Sequence, residues 1–197
     1  MSVQTCIQCY GPIKKDSVFC HVCEAIQPFT FSNPFSTFDI PLEFELNLQI
    51  LDQKYIELIR RLHPDQFIND VDIVRFLATK HSSKINEYFE HLKNPKLRAM
   101  WLYVLLTGEN HLDKFPQNAQ MPSDFLMESM ELSMKIESTN NESELQNIKA
   151  ITKEKERKKY AEIAKNVLEK DERQLLLNIQ FLNFLEKALL QLSNKGI

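Results

Sequence analysis

The sequence has few residues of the kinds that strands, membrane spans and nucleic-acid surfaces require. Only 3 of its 197 residues are glycine, and few stretches alternate polar and apolar residues, which favours helices over strands. No apolar run reaches the ~18 residues of a membrane span. The net charge of −3 argues against binding nucleic acid over the whole surface. With 43% hydrophobic and 26% charged residues, the composition indicates a soluble, helix-rich protein of one large domain or two small ones.

Two further absences narrow the function. The first residues form neither an apolar secretion signal nor an Arg- and Ser-rich leader. We therefore expect a protein of the cytoplasm, or of the mitochondrial matrix if the source is eukaryotic and a leader has been removed. No nucleophile, paired carboxylates or phosphate-binding loop accompanies the motifs described below, so we expect no enzyme activity.

All four cysteines lie near the N-terminus, as Cys6-x-x-Cys9 and Cys20-x-x-Cys23. Four thiolates suit zinc, which prefers soft ligands in a tetrahedral arrangement. The missing secretion signal disfavours two disulfides, while a thiol redox pair and an iron site of the rubredoxin type remain as alternatives. A segment this short cannot build its own hydrophobic core. We therefore predict a zinc knuckle over residues 1–27, with the metal in a structural role.

The centre of the sequence is an amphipathic helix that ends at a proline. Apolar residues recur with helical spacing from Leu51 to Leu62, and basic side chains occupy the opposite face. Proline donates no backbone hydrogen bond, and its ring forces the preceding residue into an extended conformation, so the helix should end before Pro64 in an exposed loop. The basic face consists of Lys54, Arg60 and Arg61, and the loop holds His63, Pro64 and Asp65.

This loop, the basic helix before it and a second amphipathic helix after it resemble the J domain of DnaJ-type co-chaperones. The resemblance implies that the loop and the three basic residues engage a DnaK-type chaperone. We expect the J domain over residues 33–107, entered through a short helix near Glu43 and anchored by Phe35, Phe38 and Leu42. His81 falls on the apolar face of the second helix, where a half-buried histidine is expected. A helix stop with no binding role is the alternative for the tripeptide alone.

Three further helical segments predict a C-terminal three-helix bundle over residues 122–195. The first of them carries more apolar residues than one core-facing stripe needs. Together with Phe181 of the third, some of these residues are candidates for an exposed, adaptable patch, although filling the bundle core is an alternative explanation. The candidates on the first segment are Leu126, Met127 and Met130.

The order of these parts resembles the HscB family, J-type co-chaperones of iron–sulfur cluster assembly, in the form that carries a metal knuckle. The resemblance is carried by five short stretches: His63–Phe67, Ser83–Asn86, Asn94–Ala99, Phe125–Glu128 and Phe181–Leu182. It implies an all-α fold and two partners. One is a DnaK/HscA-type chaperone whose ATPase the J domain stimulates, and the other is an IscU-like scaffold protein held by the bundle.

The family's scaffold-binding positions fall on Leu126, Met127, Met130, Glu131 and Phe181. Two positions that are acidic in the family are Met134 and Ser138 here, which implies a weaker polar rim. A general J-domain co-chaperone remains an alternative function. A zinc-ribbon protein that binds nucleic acid is another, although Lys14 and Lys15 are the only basic residues of the knuckle.

Overall fold

A computed structural model describes residues 4–13, 17–28, 32–68, 70–117 and 120–197. The described residues are almost entirely helical outside the cysteine-rich segment, so the prediction of an all-α fold is confirmed. Lys14 and Lys15 lie outside the described residues. The elements are β1 (Gln4–Thr5), β2 (Pro12–Ile13), α1 (Pro34–Thr37), α2 (Leu48–Arg61), α3 (Asp72–Lys93), α4 (Pro95–Leu106), α5 (Ser123–Ser138), α6 (Glu142–Glu169) and α7 (Glu172–Asn194), with 3₁₀ helices at Pro64–Phe67 and Leu112–Lys114.

The chain forms two compact units, Met1–Asn94 and Pro95–Ile197. In packing, α4 therefore belongs with the C-terminal helices, whereas the J domain was predicted to extend to residue 107. The predicted domains, 1–27, 33–107 and 122–195, were defined by expected function and not by packing, so they remain predictions. No helix among the described residues is long and apolar enough to cross a membrane.

In the first unit, α3 packs against both α2 and α1. Tyr55 of α2 stacks on Phe89 of α3 with ring centres 3.9 Å apart, and its hydroxyl donates to Asn86 Oδ1 at 3.1 Å. These contacts hold the middle of α2 against α3. The core side chains with at most 1% exposure include Phe35, Phe38, Leu51, Leu62 and Ile85.

Two expectations for the domain entry are wrong. The short helix is α1 at Pro34–Thr37, rather than a segment near Glu43, because Asn33 caps it and a proline occupies its first turn. Leu42 is 57% exposed and does not anchor the core, unlike Phe35 and Phe38. His81 is more deeply buried than expected, at 1% exposure.

In the second unit, α6 and α7 form the main helix pair, and α4 and α5 each pack on α7. The link between α6 and α7 is short because Lys170 adopts a left-handed conformation with φ 55° and Asp171 then caps α7. Inside the pair, Asn178 donates to Asn166 Oδ1 at 2.8 Å and accepts a hydrogen bond from Lys159 at 3.2 Å, so both buried amides are hydrogen-bonded. The pair of α6 and α7 thus forms the centre of the bundle, and α5 packs on α7.

Candidate functional site

The four cysteine sulfurs converge as metal ligands do. All four Sγ atoms lie within 4.8 Å of one another, with Cys6 to Cys23 at 3.6 Å and Cys9 to Cys20 at 3.7 Å. Four sulfurs each about 2.3 Å from a zinc ion form a tetrahedron with edges of about 3.8 Å, so the donor set fits the metal. A disulfide bond needs about 2.05 Å, and both of these sulfur separations are far longer.

Both cysteine pairs lie on turns of the same design. The residue after each pair, Tyr10 or Glu24, has φ 59° and donates its N–H to the carbonyl of the first cysteine, at 3.1 and 3.0 Å respectively. The left-handed conformation lets the chain reverse around the metal-facing sulfurs, although it is strained for residues other than glycine. In the first turn the left-handed residue is Tyr10, and not Gly11, which directly follows it.

Backbone N–H groups stabilise the thiolate form of two of the four ligands, Cys6 and Cys20. The N–H of Cys9 donates to Cys6 Sγ at 3.5 Å, and it is the largest of the contacts that lower the pKa of Cys6 to about 6. The backbone of Cys23 acts in the same way on Cys20, whose pKa is also lowered. Metal ligands must lose their protons, so these bonds favour metal binding at neutral pH.

A residue that the sequence did not single out completes this site. Gln27 is 1% exposed, and its Nε2 donates to Cys6 Sγ at 3.3 Å. Its Oε1 accepts a hydrogen bond from the N–H of Ile7 at 3.1 Å. No periodic pattern marks Gln27, which is the last residue of the predicted knuckle.

The His-Pro-Asp loop carries two exposed polar side chains and is stabilised by a local hydrogen bond. The side chains of His63 and Asp65 are 57% and 74% exposed. His63 has the extended backbone that a following proline requires, with φ −60° and ψ 135°. Its Nδ1 accepts the N–H of Asp65 at 3.3 Å. Pro64 opens the 3₁₀ helix that follows.

The three basic residues of α2 have different surroundings. Lys54 is 34% exposed, and its Nζ donates to the carbonyl of Asp39 at 2.9 Å. The guanidinium of Arg61 lies 4.0 Å from the centre of the Phe19 ring, in the cysteine-rich segment. Arg60 is exposed. The predicted basic face is present, but two of its three side chains are held by contacts within the unit.

An apolar surface lies on the outer side of α5, and we call it the α5 surface. It comprises Leu126 at 52% exposure, Met127 at 61%, Met130 at 59% and Met134 at 61%. Glu131, on the same helix, is also exposed. Ile136 is the buried residue of α5. These leucine and methionine side chains therefore do not fill the bundle core, and the core-filling explanation is wrong for them.

Phe181 does not belong to this surface. Its side chain is 2% exposed because it lies on the inner face of α7, beside other buried residues such as Leu182. It stacks on Phe125 of α5 with ring centres 4.5 Å apart. The ammonium of Lys159 lies 5.5 Å from the Phe125 ring and 5.3 Å from the Phe181 ring. The expectation of an exposed Phe181 was wrong, and its position supports α5 from beneath.

Most of the chain is similar in sequence to known proteins. A family profile described as "HSCB C-terminal oligomerisation domain" matches residues 121–192. The chain is 31% identical over 164 residues to the co-chaperone protein HscB homolog of Mannheimia succiniciproducens, covering 82% of this chain and 94% of the relative. It is 26% identical over 187 residues to the human iron-sulfur cluster co-chaperone protein HscB, covering 91% of this chain and 77% of the relative. A crystal structure of human co-chaperone protein HscB has the same fold, with a TM-score of 0.83 at 24% identity over 98% of this chain and 99% of that chain.

Proposed function

Since the chain belongs to the HscB family of co-chaperones, we propose that it brings the scaffold protein of iron–sulfur cluster assembly to a DnaK-type chaperone and stimulates that chaperone's ATPase. The name of the human relative supports the link to iron–sulfur clusters. The observation that carries the proposal is the α5 surface, an exposed apolar stripe at the positions where the family is expected to hold its scaffold. The co-chaperone itself needs no catalytic group for this role.

The His-Pro-Asp loop is the proposed contact with the chaperone. His63 and Asp65 present exposed polar side chains just after the end of α2, and Arg60 adds an exposed positive charge one turn earlier. A co-chaperone changes its partner's ATPase cycle only by binding one state of the partner more tightly than another. The loop offers the directional hydrogen bonds for such discrimination, and Arg60 steers the encounter with an acidic surface.

The α5 surface is the proposed contact with the scaffold. Its methionine side chains are flexible and polarisable, so they adapt to a partner's shape. Glu131 supplies a polar edge. Met134, where the family is acidic, extends the apolar stripe by one turn instead. We propose that Phe181 contributes indirectly by holding Phe125, and thereby the first turns of α5, in place.

The two contacts work together through linked binding. A scaffold bound to the second unit is tethered to the same chain as the loop of the first unit. Tethering raises the local concentration of the scaffold at the chaperone, to the millimolar range for short flexible links, without any additional contact. A general J-domain co-chaperone would lack this scaffold-dependent step.

We further propose that the knuckle holds a structural zinc ion through Cys6, Cys9, Cys20 and Cys23. The sulfur separations of 3.6 and 3.7 Å suit it, and four protein ligands leave no open position for a substrate. Zinc would supply most of the folding free energy of this small segment. Metal analysis of protein produced without added zinc distinguishes it from iron, which would also give visible absorption.

The proposed function is tested by measuring ATP turnover of a DnaK-type chaperone from the same organism, with and without the scaffold. The wild-type chain should stimulate turnover, and adding scaffold should raise it further. His63→Gln should abolish both effects, while its circular dichroism and its affinity for the scaffold remain unchanged. Gln66→Ala, an exposed change in the same loop, is the matched control and should keep most of the activity. Equal stimulation by wild type and His63→Gln would overturn the assignment of the loop, and stimulation indifferent to scaffold would indicate a general co-chaperone.

A further inference from the structure

The side chain of Gln27 uses its amide at both cysteine turns. Nε2 donates to Cys6 Sγ at 3.3 Å and to the carbonyl of Ala25 at 2.8 Å, while Oε1 accepts from the N–H of Ile7 at 3.1 Å. These partners determine which end of the amide is nitrogen, because the sulfur and the carbonyl need a donor and the N–H needs an acceptor. A single buried amide thus joins the turn of the first cysteine pair to that of the second.

The backbone of Gln27 makes a second connection, to helix α3. Its carbonyl accepts a hydrogen bond from Nε2 of His81 at 2.8 Å, and its N–H donates to Val18 at 2.9 Å. His81 is 1% exposed and lies in the middle of α3. Gln27 therefore contacts both the sulfur of a predicted metal ligand, Cys6, and the buried His81 of α3. The stacking of Arg61 on Phe19 is a further contact between α2 and the cysteine-rich segment.

We propose that Gln27 is a positioning residue of the metal site, and that through its bond to His81 it links metal binding in the knuckle to the packing of α3. The proposal rests on the metal-binding role given above and is independent of the co-chaperone role. It contrasts with a knuckle that folds as a separate module and leaves α3 unaffected.

The physical reason lies in the charge of the thiolates and in linkage. Four thiolates around a divalent ion carry a net negative charge, so an N–H donor aimed at one sulfur stabilises the bound state. Loss of such an outer contact costs ~10- to 100-fold in metal affinity in other sites. Metal that binds only to the folded knuckle also stabilises the contacts that depend on the folded knuckle, including the bond from Gln27 to His81 of α3. By reciprocity, the packing of His81 then favours metal binding to the same degree.

The first test measures zinc affinity of the full chain by competition with a chromogenic chelator. Gln27→Leu removes the donor at nearly constant volume, and Gln27→Glu replaces it with a carboxylate that repels the thiolates. Both should bind zinc about 10- to 100-fold more weakly. Gln8→Leu is the matched control, because Gln8 is exposed in the same knuckle and its backbone bond to Cys6 Sγ survives the change. Equal affinities for Gln27→Leu and Gln8→Leu would overturn the positioning role.

The second test needs no variant and follows amide hydrogen exchange by mass spectrometry in the zinc-loaded and the chelated wild-type chain. Exchange in peptides from α3 should become at least about tenfold faster on zinc removal, while peptides from α6 should be unchanged. No change in α3, or equal acceleration in α3 and α6, would overturn the linkage. In His81→Leu the zinc-dependent difference should shrink, and an undiminished difference would assign the linkage to another contact. If that variant does not fold, the wild-type exchange and the Gln27 affinities decide the matter.

Discussion

Leu126 and Phe181 belong to the same predicted binding site, but the structure gives them opposite roles. Leu126 is 52% exposed on α5, whereas Phe181 is 2% exposed beneath it. We therefore expect Leu126→Ala to weaken scaffold binding without loss of stability. Phe181→Ala should destabilise the bundle, and any loss of binding should follow from that damage.

The magnitudes follow from the area each side chain has left to bury. Full burial of a leucine side chain stabilises by ~1.5–3 kcal/mol, so the exposed half of Leu126 can contribute about 1 kcal/mol, or about a fivefold change in Kd. An exposed change of this kind shifts the free energy of unfolding by only ~0.5 kcal/mol or less. Truncating a buried phenylalanine costs ~3–5 kcal/mol, which corresponds to roughly 10 °C in Tm for a chain of this size.

Isothermal titration calorimetry with the scaffold and thermal unfolding by circular dichroism separate the two effects. Leu168→Ala is the matched control, because Leu168 is 77% exposed at the far end of α6, and it should alter neither quantity. The assignment of the α5 surface would be refuted if Leu126→Ala bound the scaffold as wild type does. The indirect role of Phe181 would be refuted if Phe181→Ala lost affinity while keeping its Tm, since Phe181 would then have to contact the scaffold directly.

Two other predictions concern the first unit. Arg60→Gln should slow association with the chaperone and reduce its dependence on ionic strength, because steering by exposed charges is screened by salt. Stopped-flow rates from low to high salt would show this, and parallel slopes for variant and wild type would exclude a role for Arg60. Glu24→Gly should stabilise the zinc-loaded knuckle by about 1 kcal/mol, since glycine adopts the left-handed conformation without strain. Chelator titrations would show this gain as resistance to metal loss, with Glu24→Ala as the control that keeps the strain of φ 59°.

The sequence predicted those parts of the fold that depend on local chemistry. Apolar spacing from Leu51 to Leu62 located α2, which spans Leu48–Arg61, to within a few residues. The helix ends before Pro64 because proline cannot continue the backbone ladder. The exposure of His63 and Asp65 followed from the same argument. Four cysteines in two close pairs were sufficient to predict that their sulfurs converge, which the structure confirms.

The residues that sequence reasoning misplaced are those whose position depends on distant parts of the chain. Helical spacing puts Phe181 on an apolar face of α7, but it does not say that Phe125 of α5 covers it. Gln27 bonds to His81, 54 residues away, and no local pattern predicts such a contact. Leu42 shows the reverse case, an apolar residue near buried phenylalanines whose own side chain points to solvent.

The structure of α5 explains how one helix serves both as a bundle member and as a binding surface. Its contacts along the inner side include the stacking of Phe125 on Phe181, the ion pair of Glu128 with Lys155 at 2.5 Å, and the packing of Ile136 in the core cluster that includes Leu192. These contacts are distributed along the 16 residues of the helix and leave its outer face unused. That face can therefore carry leucine and methionine side chains whose burial contributes to partner binding instead of folding. A partner that covers them would stabilise the helix as well, so binding of scaffold should protect α5 amides from exchange more than those of α6.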